Sequence, residues 1–556
     1  MLIQEQIAQV VRRALALARE QGLLPAGPLP DVVVERPPRP ELGDFATNLP
    51  LRLARSLRLP PLEVAQRLAS LLSPSEAVER VSVAPPGFIN FTLRADWLCQ
   101  QVDAILQAGA TWGNLDIGRG QRIQVEFVSV NPTGPVHVGH TRGAVLGSTL
   151  ANVLGAAGYQ VVREYYINDA GSQIDAFARS LWARYLQALG RPASLPPDGY
   201  QGQYVVDMAQ ELRSQFGESL LALGEQEAQE KVKAWGVQRV LTMIREDLQR
   251  LGVEFDVWFS ERSLYETSCY RKVMDILRQG GYLAEREGAV WFVSTALGED
   301  KDNVLVRSSG LPTYFASDAA YHYHKFVVRG FDRVINIWGA DHQGHVPRVK
   351  AMVQALGIDP QRLTIIIAQM VTLKRGGEMV RASKRKGELV TLRDLVDEVG
   401  PDACRYFFLA RSADAQMEFD LDLAKKQSQE NPVYYIQYAH ARMAGILRQA
   451  RERGVESDGG DVRLLREPAE LALVRRLVLL PEVVQTVART LEPHHLPHYA
   501  LDLATAFHWF YDNHRVLTED RALSKARLKL VEASRLVLAR TLALMGMSAP
   551  ERMEKG

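Results

Sequence analysis

The sequence predicts a multidomain α/β protein built round a doubly wound parallel sheet. Three observations carry this. A strand-like run, "RIQVEFVSV", enters a glycine- and proline-rich turn, "NPTGPVHVGH", then a helix-like run and a second strand, "YQVVREYYIND". Far downstream the order recurs: "RVINIWG" reads as strand, "HVPRVKAMVQALG" as helix and "RLTIIIAQMV" as strand. From about residue 427 no strand pattern remains. Strand–helix–strand units of this length build parallel sheets, and two of them separated by a long stretch give the two halves of a doubly wound, Rossmann-like fold.

In chain order, a helical pattern over about 4–20 leads into a proline-rich break, and the alternating "VERVSVAPPGFINFTL" predicts strands. This makes an N-terminal α+β domain over 1–113. Residues 121–130 form a buried strand. Leu146, Leu150, Val153 and Leu154 give the stripe of the following helix, with Gly155 and Gly158 closing it. Residues 175–300 look mainly helical ("YVVDMAQELRSQFGESLLALG", "VQRVLTMIREDLQRLG") and are expected as an insertion within a catalytic domain spanning 114–426. Residues 427–556 read as an all-α domain. At roughly 100–200 residues per domain, 556 residues accommodate this division.

A formal net charge of +1 gives no sign of a polyanionic partner and excludes none, because a local basic face can be balanced elsewhere. Cys99, Cys269 and Cys404 lie far apart and lack metal or redox spacing. The N-terminus carries charges throughout, and no apolar run approaches the roughly 20 residues of a membrane span. A cytoplasmic protein with no membrane partner is expected.

Ligands of an open parallel sheet bind beyond the carboxyl ends of its strands. "NPTGPVHVGH" occupies such a place. Its glycines allow close backbone approach, the next helix offers N–H groups to an anion, and His137 and His140 can donate to phosphate oxygens. It is neither GxxxxGK[ST] nor GxGxxG. On the histidines alone, metal ligation and a plain structural turn stay open; HExxH and cysteine clusters are absent. The second strand end carries "WGADHQGH", where Gly339 leads into Asp341, suited to a ribose hydroxyl pair or to capping a helix. After the next strand, "KRGGEMVRASKRKGELVTLRDL" crowds Lys374, Arg375, Arg381, Lys384, Arg385 and Lys386 into a glycine-containing loop before Thr391, which has Asp394 in capping-box register. A basic loop there can close over polyphosphate. Together the three pieces favour a nucleotide.

On these residues the chain resembles the class I aminoacyl-tRNA synthetases. His137-Val-Gly-His140 is similar to their H-I-G-H signature, and "RASKR" (381–385) stands where they carry K-M-S-K-S. Within the class it closely resembles the arginyl-tRNA synthetases, through "VEFVSVNPTGPVHVGHTRGAVLGSTLANVL", "REYYINDAGSQ", "LPTYFASDAAYHYHK", "WGADHQGHVPRVKAM", "SKRKGELVTLRDLVDEVGPDACRYFFL" and "NPVYYIQYAHAR". "GDFATN" and "PPGFINF" resemble the family's extra N-terminal domain, and "ALDLATAFHWFYDNHRVL" its C-terminal one. In the basic loop Arg381 and Ala382 depart from the pattern, while Lys384 keeps the second lysine.

The resemblance implies that L-arginine and ATP form arginyl-adenylate, from which arginine passes to the 3′ end of tRNA(Arg). The substrate carboxylate is the nucleophile, so the protein aligns groups and stabilises charge. It implies ATP contacts by His137, Gly139, His140, Gly339, Asp341, Ser383 and Lys384, with His137, His140 and Lys384 catalytic. Mg²⁺ arrives on the phosphates; no zinc is expected. It implies arginine contacts by Glu126, Asn131, Tyr314, Asp318 and Gln343, since a planar guanidinium needs fixed anions. No editing domain is needed or evident. The first domain would meet the tRNA elbow and the last the anticodon. In the last, Tyr434, Tyr435, Tyr438, Trp509 and Tyr511 suit base stacking or, for most of them, buried helix packing, and Lys525, Arg527, Lys529 and Arg535 suit phosphate contacts or a solvated helix face equally. A monomer is expected. A synthetase for lysine or glutamine, a silent RNA-binding paralogue and a small-molecule adenylyltransferase are the alternatives.

Overall fold

The computed structural model describes residues 2–24, 29–73, 75–169, 171–380 and 390–553. Its N-terminal part opens with the helix Ile3–Glu20. Ile3, Ile7, Val11, Leu15 and Ala18 recur every three or four residues and form its buried face. That face belongs to the same core as an antiparallel sheet in which Phe88–Leu93 lies between Phe45–Thr47 and Val78–Ala84.

The central sheet has five parallel strands, in the spatial order Leu363–Ala368, Arg333–Gly339, Arg122–Glu126, Gln160–Ile167 and Val257–Ser260. From Arg122–Glu126 the chain winds outward through Gln160–Ile167 to one edge. It then returns to Arg333–Gly339 and winds to the other, so the switch point lies between Arg122–Glu126 and Arg333–Gly339. The helix Val138–Ala156 packs on the sheet so closely that a Cβ on Gly147 would stand 2.2 Å from the Phe127 ring. Only glycine permits that approach.

The stretch expected as an insertion, 175–300, holds more than helices. Ser172–Ala188, Gln203–Phe216 and Glu225–Arg250 are indeed helical. Val257–Ser260, however, is the edge strand of the central sheet, in register with Glu164–Ile167. The helices before it are therefore the crossover of a strand–helix–strand unit. Past that strand the chain also forms a small antiparallel sheet of Leu283–Arg286, Ala289–Phe292 and Asn303–Val306. Four residues, "VWFS", are too short a run to announce a strand by periodicity.

Beyond Leu363–Ala368, Val371–Arg375 pairs with Glu378–Met379 through a turn at Gly376 and Gly377 (φ +61° and +79°), and with Met417–Asp420. The C-terminal part is helical: Pro432–Glu452, Pro468–Leu477, Leu480–Thr490, His495–Asn513 and Arg521–Met545. Contacts bind this bundle to the rest. Arg36 pairs with Glu482 through two hydrogen bonds of 2.9 and 2.8 Å, and Arg475 reaches Asp44 at 2.7 Å. Buried Arg405 donates to the carbonyls of Leu251, Gly252 and Met545 and to Ser148 Oγ. No helix among the described residues is long and apolar enough to cross a membrane.

Candidate active site

The site grows from two adjacent strand ends. After Glu126 the chain leaves the sheet through Val128 and Ser129, both left-handed (φ 68° and 44°). Such backbone costs of order 1–3 kcal/mol per residue and persists only where neighbours fix it. Here the Tyr166 N–H donates to Ser129 Oγ (3.0 Å) and the Tyr165 hydroxyl to the Val130 carbonyl (2.7 Å). Asn131, just beyond, donates to Gln173 Oε1. His137 is then the cap residue of the helix Val138–Ala156, yet its ring makes no cap bond. His137 and His140 stand edge to face, with ring centres 4.9 Å apart. Gly139 is exposed, and nothing lies within 4 Å of where its Cβ would be.

The turn is held from both sides. Arg142, one turn into the helix and fully buried, donates to the carbonyls of Gln369 (3.0 Å), Ser412 (2.6 Å) and Ala415 (2.7 Å). The Val138 N–H donates to the Val390 carbonyl (3.0 Å) and the Leu392 N–H to the Val136 carbonyl (2.7 Å). The segment that follows the basic loop is thus stitched to the histidine turn. Thr391 and Asp394 form the expected capping box. Arg381, Ala382, Ser383, Lys384, Arg385 and Lys386 lie outside the described residues.

On the neighbouring strand end, Gly339 leads into the 3₁₀ turn Ala340–His345. A Cβ on Gly339 would meet Asp341 Oδ1 at 2.6 Å, so glycine makes room for that carboxylate. Asp341 caps no helix; its side chain is 80% exposed, 3.4 Å from His342 Nε2. Gln343 is exposed on the same turn. Desolvation lowers His137, and it lowers His140 with help from His137 and His342, Asp341 acting the other way. Both rings are neutral at neutral pH, each with one N–H to donate. Among the described residues, the one group placed to hold a metal is Glu492, His494 and His495, in the C-terminal bundle.

Beside the turn lies a charged pocket. Glu126 is buried at the end of its strand and accepts from Lys325 Nζ at 2.5 Å. Asp318, on the helix Tyr314–Tyr323, is raised to about 7. Burial is the main cause; Glu126 and Glu261 add to it, while Arg348 and Lys325 oppose it. Glu261 is buried too, accepts from Ser317 Oγ (2.5 Å) and from Tyr166, and is itself raised by burial. Tyr166 feels all three carboxylates and is raised well above its ordinary range, burial leading. Tyr314 stands at the N-terminus of its helix, 63% exposed. The structure therefore brings Glu126 and Asp318 together and adds Glu261, Tyr166 and Lys325, which sequence reasoning missed. The signal for Glu261 was positional. It follows Ser260 at the carboxyl end of a sheet strand, where ligands bind, but that strand was hidden inside the supposed insertion.

Comparison with known proteins bears on this arrangement. Residues 1–93 match the arginyl tRNA synthetase N terminal domain, 101–408 the catalytic domain of class I (R) tRNA synthetases, and 436–553 the DALR anticodon binding domain. An arginine–tRNA ligase from Dehalococcoides mccartyi is 58% identical over 547 residues, 98% of each chain. The chain belongs to the arginyl-tRNA synthetases. Another such ligase, from Heliobacterium modesticaldum, is 49% identical over 558 residues, 99% of each chain. The Thermus thermophilus arginyl-tRNA synthetase structure superposes with a TM-score of 0.77, covering 99% of this chain and all of that one; at 24% identity it speaks for the fold alone.

The four bundle cations read as phosphate contacts of this arginyl-tRNA synthetase are engaged within the protein. Arg527 is buried against Glu470 (2.7 Å), Lys529 meets Asp103 (2.7 Å), Arg535 meets Glu551 (2.5 Å) and Lys525 donates to the Asp458 carbonyl (2.7 Å). Lysine and arginine at helical spacing look the same in sequence whether they face a partner helix or solvent. Of the aromatic candidates, Trp509 and Tyr511 are exposed. Tyr434 stacks on Tyr438, and Arg442 lies 4.7 Å from the rings of both Tyr438 and Tyr511. Tyr435 leans on His508, ring centres 4.6 Å apart.

Proposed function

We propose that the protein activates L-arginine with ATP and transfers it to tRNA(Arg), using the cleft between the two strand ends. The observation that carries this reading is the pocket of Glu126, Asp318 and Glu261 beside the histidine turn. Two buried carboxylates, Glu126 and Glu261, and the half-buried Asp318, with one internal ammonium on Glu126, leave an excess of negative charge that one guanidinium can enter. Glu126 and Asp318, joined by Glu261, take the guanidinium, Tyr314 closes the mouth of the pocket, and Asn131 holds the α-amino end, with Gln343 beside it. A site of hydrogen-bonded buried charges rejects uncharged amino acids without an editing step.

In the first step an oxygen of the arginine carboxylate bonds to the α-phosphorus of ATP, and the bond to the bridging oxygen breaks. Pyrophosphate leaves with that electron pair. His137 and His140 donate to phosphate oxygens, Gly139 lets the nucleotide approach the backbone, and Gly339 and Asp341 receive the ribose. Ser383 and Lys384 meet the pyrophosphate, with Mg²⁺ arriving on ATP as part of the substrate. In the second step a ribose hydroxyl of the terminal adenosine, by class resemblance the 2′-hydroxyl, attacks the adenylate carbonyl. AMP leaves, and the hydroxyl gives up its proton. Held geometry and aimed donors supply the acceleration.

We read 1–113 as the tRNA-elbow domain, 114–426 as the catalytic domain and 427–556 as the anticodon-binding domain of a monomeric, cytoplasmic enzyme. Charging a total tRNA pool with each labelled amino acid in turn tests the function: arginine alone should be attached, and lysine attached in its place would overturn the reading. Exchange of pyrophosphate into ATP should require tRNA.

A further inference from the structure

Lys325 is fully buried, although nothing in the reaction needs an ammonium there. It sits on a π-helical turn, His324–Val328, that ends the helix carrying Asp318. π-helical turns are rare and frequent at functional sites, because the wider turn re-aims its side chains. Here Lys325 Nζ is aimed at the registered pair Glu126 and Asn336 on neighbouring strands. It donates to Glu126 Oε2 at 2.5 Å and to Asn336 Oδ1 at 3.0 Å, and stands 4.1 Å from the centre of the Tyr321 ring. Asn336 is itself fixed: its Nδ2 donates to His322 Nε2 (3.0 Å), and His322 Nδ1 donates to the Asp318 carbonyl (2.7 Å). One chain of hydrogen bonds therefore runs from the backbone carbonyl of Asp318, not its carboxylate, through His322, Asn336 and Lys325 to Glu126.

We infer that Lys325 is a positioning residue for arginine selection, the built-in cation that aims Glu126 and balances the three-carboxylate pocket so that it accepts one guanidinium. The reason is electrostatic. Carboxylates crowded in a dry pocket cannot all stay ionised, and a protonated one is a poor acceptor for a guanidinium. The charged and titratable groups facing Lys325 are Glu126, Asp318, Tyr321, His322 and His324; around them, Glu261, Arg348 and Tyr166 act on Asp318 or Glu126, and Glu164 and Arg329 lie behind Tyr321. Glu164 is already engaged by Arg329 (2.5 Å) and the Tyr321 hydroxyl (2.5 Å), and His322 is held neutral by burial. Arg348 is turned toward His345 Nδ1 (2.5 Å). Among the described residues, that leaves Lys325 as the cation in direct contact with Glu126, while Arg348 and then Lys325 act on Asp318 from a distance. Lysine rather than arginine suits the post, because a compact ammonium cannot offer the planar fork that the substrate must present.

The inference rests on the arginine reading of this pocket, and the test separates the two. Arginine KM is measured in tRNA-supported ATP–pyrophosphate exchange from about pH 6 to about pH 9. Lys325→Met should raise KM about tenfold or more near neutrality and move the midpoint of its pH dependence upward by about one unit or more. Lys325→Arg should keep the midpoint near that of the unaltered protein. A loss of the same factor at every pH, or an unmoved midpoint, would reduce Lys325 to packing and overturn the inference. If Lys325→Met folds poorly by thermal melting, Lys325→Gln is read in the same way. Asp318→Asn serves as the reference. If it leaves arginine KM unchanged, the pocket assignment itself is wrong; if it raises KM while the lysine variants leave the midpoint in place, only the role of Lys325 falls.

Discussion

The proposed arginine side of the cleft is walled largely by buried, paired charge, whereas the proposed nucleotide side offers His140, Gly139 and Asp341 to solvent. The two sides share one strand end and differ in what their ligands demand. A guanidinium must be told from other side chains before any chemistry, so its acceptors are fixed in advance by Ser317, Tyr166 and Lys325. A triphosphate brings its own charge and metal and must leave as pyrophosphate. Open neutral donors suit it, with the segment after the basic loop anchored at Val390 on the histidine turn. On the proposed function, one side serves selection and the other turnover.

The largest effect should come from the turnover side. His140→Asn is expected to lower kcat by about 10²–10³-fold, the range for losing an aimed donor to developing charge, and to leave arginine KM nearly unchanged. A change confined to arginine KM would break the division. On the selection side, Asp318→Asn should raise arginine KM by roughly 10–100-fold, corresponding to about 1.5–3 kcal/mol for a hydrogen bond to a charged group, with ATP KM little altered. The same residue sets a pH dependence. With its carboxyl near 7, arginine binding should weaken as pH falls through that value. Stability of the free protein should run the other way. The folded state holds this proton more tightly than the unfolded one, so Asp318 favours folding at low pH. That contribution is lost as pH rises from the ordinary carboxyl range to about 7. Thermal melting with and without saturating arginine across that window reads both trends.

Asp341→Ala should raise ATP KM about tenfold, near 1.4 kcal/mol for an exposed contact; an unchanged ATP KM would remove Asp341 from the nucleotide side. The smallest effect on catalysis belongs to a residue on neither side. Arg405→Met would leave the carbonyls of Leu251, Gly252 and Met545 without their donor and should cost about 3 kcal/mol of stability. Below the melting transition, kcat and both KM values should stay close to those of the unaltered protein. A fall in kcat there would show that the bundle's grip on the histidine helix is part of catalysis.

The sequence by itself determined the parts that local rules govern. The helix Ile3–Glu20 follows from apolar spacing, the paired strand–turn–helix units from period and glycine placement, and the box at Thr391 and Asp394 from two residues three apart. The histidine turn and Asp341 were legible for the same reason: each sits at the end of a strand that announces itself. Glu126 and Asp318 were singled out only through likeness to a family, since a lone acid on a strand or helix reads as an ordinary ion pair; the structure brings the two together. Tertiary structure alone decided the rest. Val257–Ser260 becomes a sheet strand because a neighbour pairs with it, and its membership is what makes Glu261 a pocket residue. Lys325 and Glu126 stand 199 positions apart, and Arg527 and Glu470 stand 57 apart. Whether a charge faces solvent, a ligand or another charge depends on which distant segment lies against it, and no local pattern along the chain encodes that.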